Sequence, residues 1–152
     1  MECNGSVRPI DILLVEDNPG DVDLAREALG MGKLHNTLHV VQDGVAAMDF
    51  LRKTGKYVNA PRPDLMILDL NLPKKDGRQV LAEIKEDDSL KRIPVIILTS
   101  SRAEEDILRT YNLHANCYIS KPIDLKQFLH VVKSIENFWL SIVILPGNGE
   151  EK

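Results

Sequence analysis

The chain has 152 residues, 43% of them hydrophobic and 28% charged, with a formal charge of −4. That length suits one domain able to bury roughly 68–70% of its unfolded surface, so no disulfide staple is needed. The mild acidity speaks against a partner made of nucleic acid or anionic lipid, each of which calls for a basic face.

Residues 1–9 read as a polar leader, and Met1–Arg8 lacks the apolar stretch of a secretory signal. Ile10–Val15 is the first apolar run and reads as a strand. Val22, Ala25 and Leu29, after Asn18-Pro19, repeat at helical spacing. Leu38–Val41 is the second strand, followed after Asp43-Gly44 by the stripe Val45, Met48 and Leu51. Gly55–Pro63 reads as a polar loop. Asp64–Asp69 is the third strand, and Val80, Leu81 and Ile84 form the next helical stripe after Asp76-Gly77. Pro94–Thr99 and Asn116–Ser120 are the last two strands, with the fourth helix between them. Leu125, Phe128, Leu129, Val132 and Ile135 line one face of a fifth helix capped by Asp124 and complete by Asn137.

Strands in strict alternation with helices predict parallel strands joined by crossovers. The first, third and fourth runs are almost wholly apolar, as strands covered on both faces should be. The expected fold is a doubly wound α/β sheet of five parallel strands and five helices, of flavodoxin-like size, over residues 10–137. Residues 138–152 are a C-terminal extension. The site of such a sheet lies beyond the carboxyl ends of its strands, near the point where strand order reverses.

Polar residues gather at those ends: Glu16 and Asp17 after strand one, Asp69 closing strand three, Thr99-Ser100-Ser101 after strand four, and Lys121-Pro122 after strand five. Singly, each has an ordinary explanation as a cap, a loop charge or a packed side chain. An Asp closing "LMILD" is the one that packing explains least. Three clustered carboxylates repel one another and raise their own pKa values unless a cation neutralises them. Mg2+ suits the set, because it takes hard oxygen ligands and commonly bridges a carboxylate and a phosphate. An ammonium from Lys121 and a hydroxyl from Thr99 suit phosphoryl oxygens. The implied chemistry is phosphoryl transfer to a carboxylate, with Asp69 as the nucleophile that forms an aspartyl phosphate.

These residues resemble the receiver domain of two-component response regulators: an acidic pair after strand one, "LDLNLPKKDG" with Pro73 and Gly77 at the fourth and eighth positions after Asp69, then Thr99 and "YISKP". The resemblance covers residues 10 to about 137. It implies a signalling protein that catalyses its own phosphorylation and slow dephosphorylation, with Asp69 taking the phosphoryl group from a kinase phosphohistidine. Mg2+ would be held by Asp17 and Asp69, by the backbone carbonyl of Asn71, and by Glu16 through a water. Lys121, joined to Pro122 by a cis bond, would contact the phosphoryl group, Thr99 would move to bond it, and Tyr118 would swing inward as the coupled switch. Asn71 and Ser101 would influence hydrolysis. The acidic pair is Glu-Asp where many receivers have Asp-Asp.

Three other readings remain open at this point. A flavin-binding module would share the fold but wants a neutral, glycine- and hydroxyl-rich phosphate loop where "VEDNPGD" stands. An aspartate-nucleophile phosphatase needs a second Asp two residues after the nucleophile, where Asn71 stands. A receiver-like binding module would not use phosphate at all. Cys3 and Cys117 form no motif and the four histidines show no metal spacing, which favours a reduced cytoplasmic setting without a second metal.

The extension begins "FWLSIVILPG", too short to span a bilayer, which takes about 20 apolar residues. After a complete receiver it leaves no room for a DNA-binding output domain, so output is expected through protein contacts or phosphorelay. Trp139, Leu140, Ile142, Val143, Ile144 and Leu145 left in water would forgo on the order of 10 kcal/mol of burial, at about 1.5–3 kcal/mol per large side chain, and Phe138 belongs to the same run. They are expected either to fold back over the fifth helix or to form a strip that pairs with a second copy, since two-fold dimers are the commonest assembly. "IENFWLSIVILP", with the inserted "KTGKYVNAPRP", resembles the response regulators of cyanobacterial phytochromes. That resemblance implies a homodimer and a red/far-red-sensing histidine kinase as partner.

Overall fold

A computed structural model describes residues 9–32, 35–100, 102–110 and 117–139. Five parallel strands, β1 (Ile10–Val15), β2 (Asn36–Val41), β3 (Leu65–Asp69), β4 (Val95–Thr99) and β5 (Cys117–Ser120), form one sheet in the order β2-β1-β3-β4-β5. The helices are α1 (Pro19–Gly30), α2 (Gly44–Arg52), α3 (Gly77–Glu86), α4 (Arg102–Thr110) and α5 (Leu125–Trp139). The predicted doubly wound sheet is therefore the observed one. None of these helices is long and apolar enough to cross a membrane.

Alternation along the strands divides the core into two faces. Leu13, Val15, Met66, Leu68, Val95 and Ile97 pack with Met48, Leu51, Val80, Leu81 and Ile84 of α2 and α3. Ile12, Leu14, Ile67, Ile96, Leu98 and Ile119 face the other way and pack with Ala25 and Leu29 of α1 and with Phe128 and Val132 of α5. Every residue of β3 and β4 is buried, which is why those runs carry no polar alternation.

Strand order reverses between β1 and β3, so their carboxyl ends flank a crevice. Register fixes what meets there. Val15 pairs with Leu68, Asp69 with Leu98 and Thr99 with Ser120, and Lys121 N–H donates to the Thr99 carbonyl at 2.7 Å. Helices α1, α2 and α3 begin at the same end with side-chain caps: Asn18 on Asp21 N, Asp43 on Ala46 N, and a capping box between Asp76 and Gln79. The predicted cap Asp124 accepts from Lys126 N at 3.0 Å.

Two glycines are required by close approach. A Cβ on Gly77 would collide with the Asp69 carbonyl, and one on Gly44 with the carbonyl of Lys75. The β3–α3 loop is thus clamped between the strand that carries Asp69 and the start of α2. Lys74 pairs with Asp43 and Lys75 with Glu83, which also pairs with Arg52.

Several expectations about elements change: β3 starts at Leu65 instead of Asp64, and β4 at Val95 instead of Pro94. β2 starts at Asn36 instead of Leu38, because a strand at the sheet edge admits polar residues to its ladder. The loop 55–63 is not merely polar: it opens with a 3-10 turn, Gly55–Tyr57, and the Tyr57 ring lies 5.4 Å from that of Phe50. Helix α5 continues past Asn137 to Trp139, so Phe138 and Trp139 of the predicted extension belong to its backbone. Leu140, Ile142, Val143, Leu145 and Ser101 lie outside the described residues.

Candidate functional site

The crevice gathers the predicted residues. Glu16, Asp17 and Asp69 each offer a carboxylate oxygen, and these lie within 4.8 Å of one another. Glu16 and Asp69 are buried and Asp17 is exposed, so the cluster faces outward through Asp17. Lys121 Nζ donates to Asp69 Oδ2 at 2.8 Å and to Glu16 Oε2 at 3.2 Å. The other Asp69 oxygen accepts from Asn71 N at 3.0 Å, which holds the carboxylate in one orientation. The Asn71 side chain in turn donates to Ser100 Oγ at 2.7 Å. The Lys121–Pro122 bond is cis, as expected.

Among the described residues, two buried side-chain oxygens lack a hydrogen-bond partner: Glu16 Oε1 and Thr99 Oγ1. Lys121 Nζ stands 3.0 Å from Glu16 Oε1 without hydrogen-bonding alignment. Orphaned buried oxygens are costly, and both lie where a ligand would satisfy them. A hard divalent cation fits this all-oxygen set, with an acceptor in Glu16 and a donor in Thr99 to spare.

Electrostatics agree. Burial, then a hydrogen bond shared with Asp69 and that group's charge, pushes Glu16 up to about 7, against the opposing pull of Lys121. Burial alone would lower Lys121, but its bonds to Asp69 and Glu16 outweigh this and hold it above its ordinary value. The ammonium therefore stays charged at neutral pH.

One member was not foreseen. Asp21 Oδ2, from the first turn of α1, stands 3.2 Å from Lys121 Nζ. Its only signal in the sequence is an acid one helical turn past Asp17. Tyr118 is half-buried on β5 and packs against the core face of α2 and α3.

Residues 12–133 match the response regulator receiver domain family. The chain belongs to that family. This receiver is similar to Response regulator Rcp1 of Synechocystis sp., with 52% identity over 139 residues covering 91% of this chain and 95% of Rcp1. Its structure resembles that of the phosphorylated cyanobacterial phytochrome response regulator RcpA, with a TM-score of 0.77 and 54% identity over 88% of this chain and 96% of that one. The Mn2+-bound form of Rcp1 follows at a TM-score of 0.76 and 52% identity, covering 89% of this chain and 97% of that one. The receiver is thus a signalling protein with an acidic cluster, and a relative has been solved with a divalent metal bound. The flavin-binding and phosphatase readings gain nothing from these likenesses.

A divalent ion in this receiver should be felt in its stability. Glu16 titrates at about 7 when folded against an ordinary 4.5. The folded state therefore holds an extra proton between those values, and metal-free stability falls as pH rises through them. A bound cation removes the reason for that proton. Millimolar Mg2+ is expected to raise the thermal midpoint more at about pH 8 than at about pH 6, each kcal/mol being worth about 2–4 °C in a domain this size. Equal shifts at both pH values in a melting series would count against Glu16 as part of the metal site.

Proposed function

We propose that Asp69 accepts a phosphoryl group from the phosphohistidine of a histidine kinase, with Mg2+ bound at the acidic cluster. The observation that carries this reading is the contact between Lys121 Nζ and Asp69 Oδ2 at 2.8 Å, beside two further carboxylates and the orphaned Thr99 hydroxyl. An Asp69 oxygen forms the bond to phosphorus as the phosphorus–nitrogen bond of the donor breaks, and the imidazole leaves with its electron pair. Asp17, Asp69, the Asn71 carbonyl and, through water, Glu16 would hold Mg2+, which when bound neutralises charge on the phosphoryl oxygens. Lys121 then transfers its hydrogen bond from Asp69 to the phosphoryl group, and Thr99 Oγ1 supplies a second donor. Tyr118 moves inward behind Thr99 and passes the change to the surface.

The likeness to the cyanobacterial phytochrome response regulator RcpA supports a phytochrome as the kinase; the proposed setting is cytoplasmic, with output through protein contacts or phosphorelay. Exposure to acetyl phosphate and Mg2+ tests the acceptor chemistry. One phosphoryl group per chain, released by hydroxylamine as acyl phosphates are, is the expected mass-spectrometric result. Transfer from an autophosphorylated phytochrome kinase, faster than from an unrelated kinase, tests the pairing.

The apolar run Phe138, Trp139, Leu140, Ile142, Val143 and Leu145 supports a homodimer formed through the extension. Sedimentation should find the full chain dimeric at micromolar concentration and a chain ending at Trp139 monomeric. A monomeric full chain would remove the dimer from the proposal.

A further inference from the structure

Lys121 is surrounded by more anionic oxygens than it has protons. Its nitrogen lies 2.8 Å from Asp69 Oδ2, 3.0 and 3.2 Å from Glu16 Oε1 and Oε2, and 3.2 Å from Asp21 Oδ2. Glu16 and Asp69 are needed for the acceptor and its metal. Asp21 is not among the carboxylates that come together as ligands, and it meets the site through its contact with the ammonium.

Its placement is firm. Asp21 N–H donates to Asn18 Oδ1 at 3.1 Å, and Asn18 N–H donates to Glu16 Oε2 at 3.1 Å. Asp21, Asn18, Glu16 and Lys121 therefore close a ring that ties the start of α1 to the β5–α5 turn. The helix N-terminus favours a carboxylate there. The side chain of Asp21 is 23% exposed while those of Glu16 and Asp69 are 0% and 1%. Asp21 is thus more open to solvent than the two buried carboxylates that share its lysine.

We propose that Asp21 is a positioning residue that holds Lys121 toward α1 and weakens the site's attraction for anionic phosphodonors. The inference rests on Asp69 being the phosphoacceptor. In transfer from acetyl phosphate, an Asp69 oxygen bonds to phosphorus as the phosphorus–oxygen bond to the acyl group breaks, and acetate leaves with the electron pair. Lys121 has to give up Asp69 for a phosphoryl oxygen as this happens. Asp21 opposes the approach twice: it competes for the ammonium, and it repels the donor.

The test compares the dependence of labelling rate on acetyl phosphate concentration in wild type, Asp21→Asn and Asp21→Glu at saturating Mg2+. Asp21→Asn is expected to lower the half-saturating donor concentration about fivefold to tenfold, with the maximal rate within about twofold, the scale of one screened charge at a focused site. Asp21→Glu, which restores the charge, should restore the wild-type half-saturation. A purely structural role would slow Asp21→Asn. Half-saturation that is unchanged or raised in Asp21→Asn, or lowered equally in Asp21→Glu, overturns the proposal while wild type is labelled. A wild type that takes no label overturns the acceptor reading and this inference with it.

Discussion

Asparagine in place of Asp69 is expected to abolish labelling by acetyl phosphate, a fall on the order of 1,000-fold or more, as when other covalent nucleophiles are removed. The amide offers no nucleophilic oxygen, yet it matches the carboxylate in shape and keeps an acceptor for Asn71 N, which now bonds Asp69 Oδ1 at 3.0 Å. The variant should therefore remain folded. Two electrostatic changes oppose each other in it. Lys121 loses its shortest ion pair, but keeps Glu16 and Asp21, and Glu16 loses the neighbour whose hydrogen bond and charge raise its pKa. The site holds four carboxylates, Glu16, Asp17, Asp21 and Asp69, against one ammonium, so relief of repulsion is the larger effect. The metal-free melting temperature of Asp69→Asn is expected to equal or exceed that of wild type, and the gain from Mg2+ to shrink. Lost labelling with retained stability separates removal of the nucleophile from misfolding. Equal labelling of the two proteins, followed by mass spectrometry, would sink the mechanism.

Lys121→Ala is expected to have the largest effect on stability. Breaking a buried ion pair from one side typically costs about 3–5 kcal/mol, because the remaining charge stays unpaired in a poor solvent. Here two buried carboxylates, Glu16 and Asp69, lose the same partner. The cost must depend on pH, with a definite sign. Lys121 pulls Glu16 down more than the Asn18 N–H does, so its removal raises the Glu16 pKa further. Protonation relieves the burial below that raised value, and stability is lost as pH climbs through it. The deficit relative to wild type should be larger at about pH 8 than at about pH 5, with Mg2+ recovering part of it at the higher pH. Labelling should fall as well, since the phosphoryl group loses its only lysine donor among the described residues. A denaturant series giving the same deficit at both pH values would show that Lys121 acts through packing of its aliphatic stem instead.

Much of this arrangement was legible because strand ends are conspicuous. Asp69 closes a run that is otherwise wholly apolar, and no packing argument accounts for a carboxylate there. Thr99 and Lys121 stood at matching ends of their own runs, so parallel register alone brought them beside it. Residues whose position depends on angles between elements were not legible. Asp21 reaches Lys121 because of the way α1 crosses the β5–α5 turn, and spacing along one helix carries no information about a turn a hundred residues later. Tyr57 packs on Phe50 because the polar-looking loop around it folds back on α2, a contact that composition conceals. Strand limits shifted for local reasons. Asp64 caps the entrance to the sheet, with its N–H donating to the Asp11 carbonyl at 2.7 Å and its side chain accepting from Asp11 N at 2.8 Å, and so precedes β3 instead of beginning it.

The missing Cβ at Gly44 widens the set of residues that the chemistry constrains. Nothing on α2 reaches the carboxylates, and a survey of side chains near Asp69 would pass over it. Yet a single methyl group at its first residue would push the Lys75 carbonyl, and that loop carries the Asn71 amide that orients Asp69. Anyone redesigning the outer surface of this protein, or grafting α2 from another sequence, would be editing the setting of the Asp69 carboxylate from a distance without touching it.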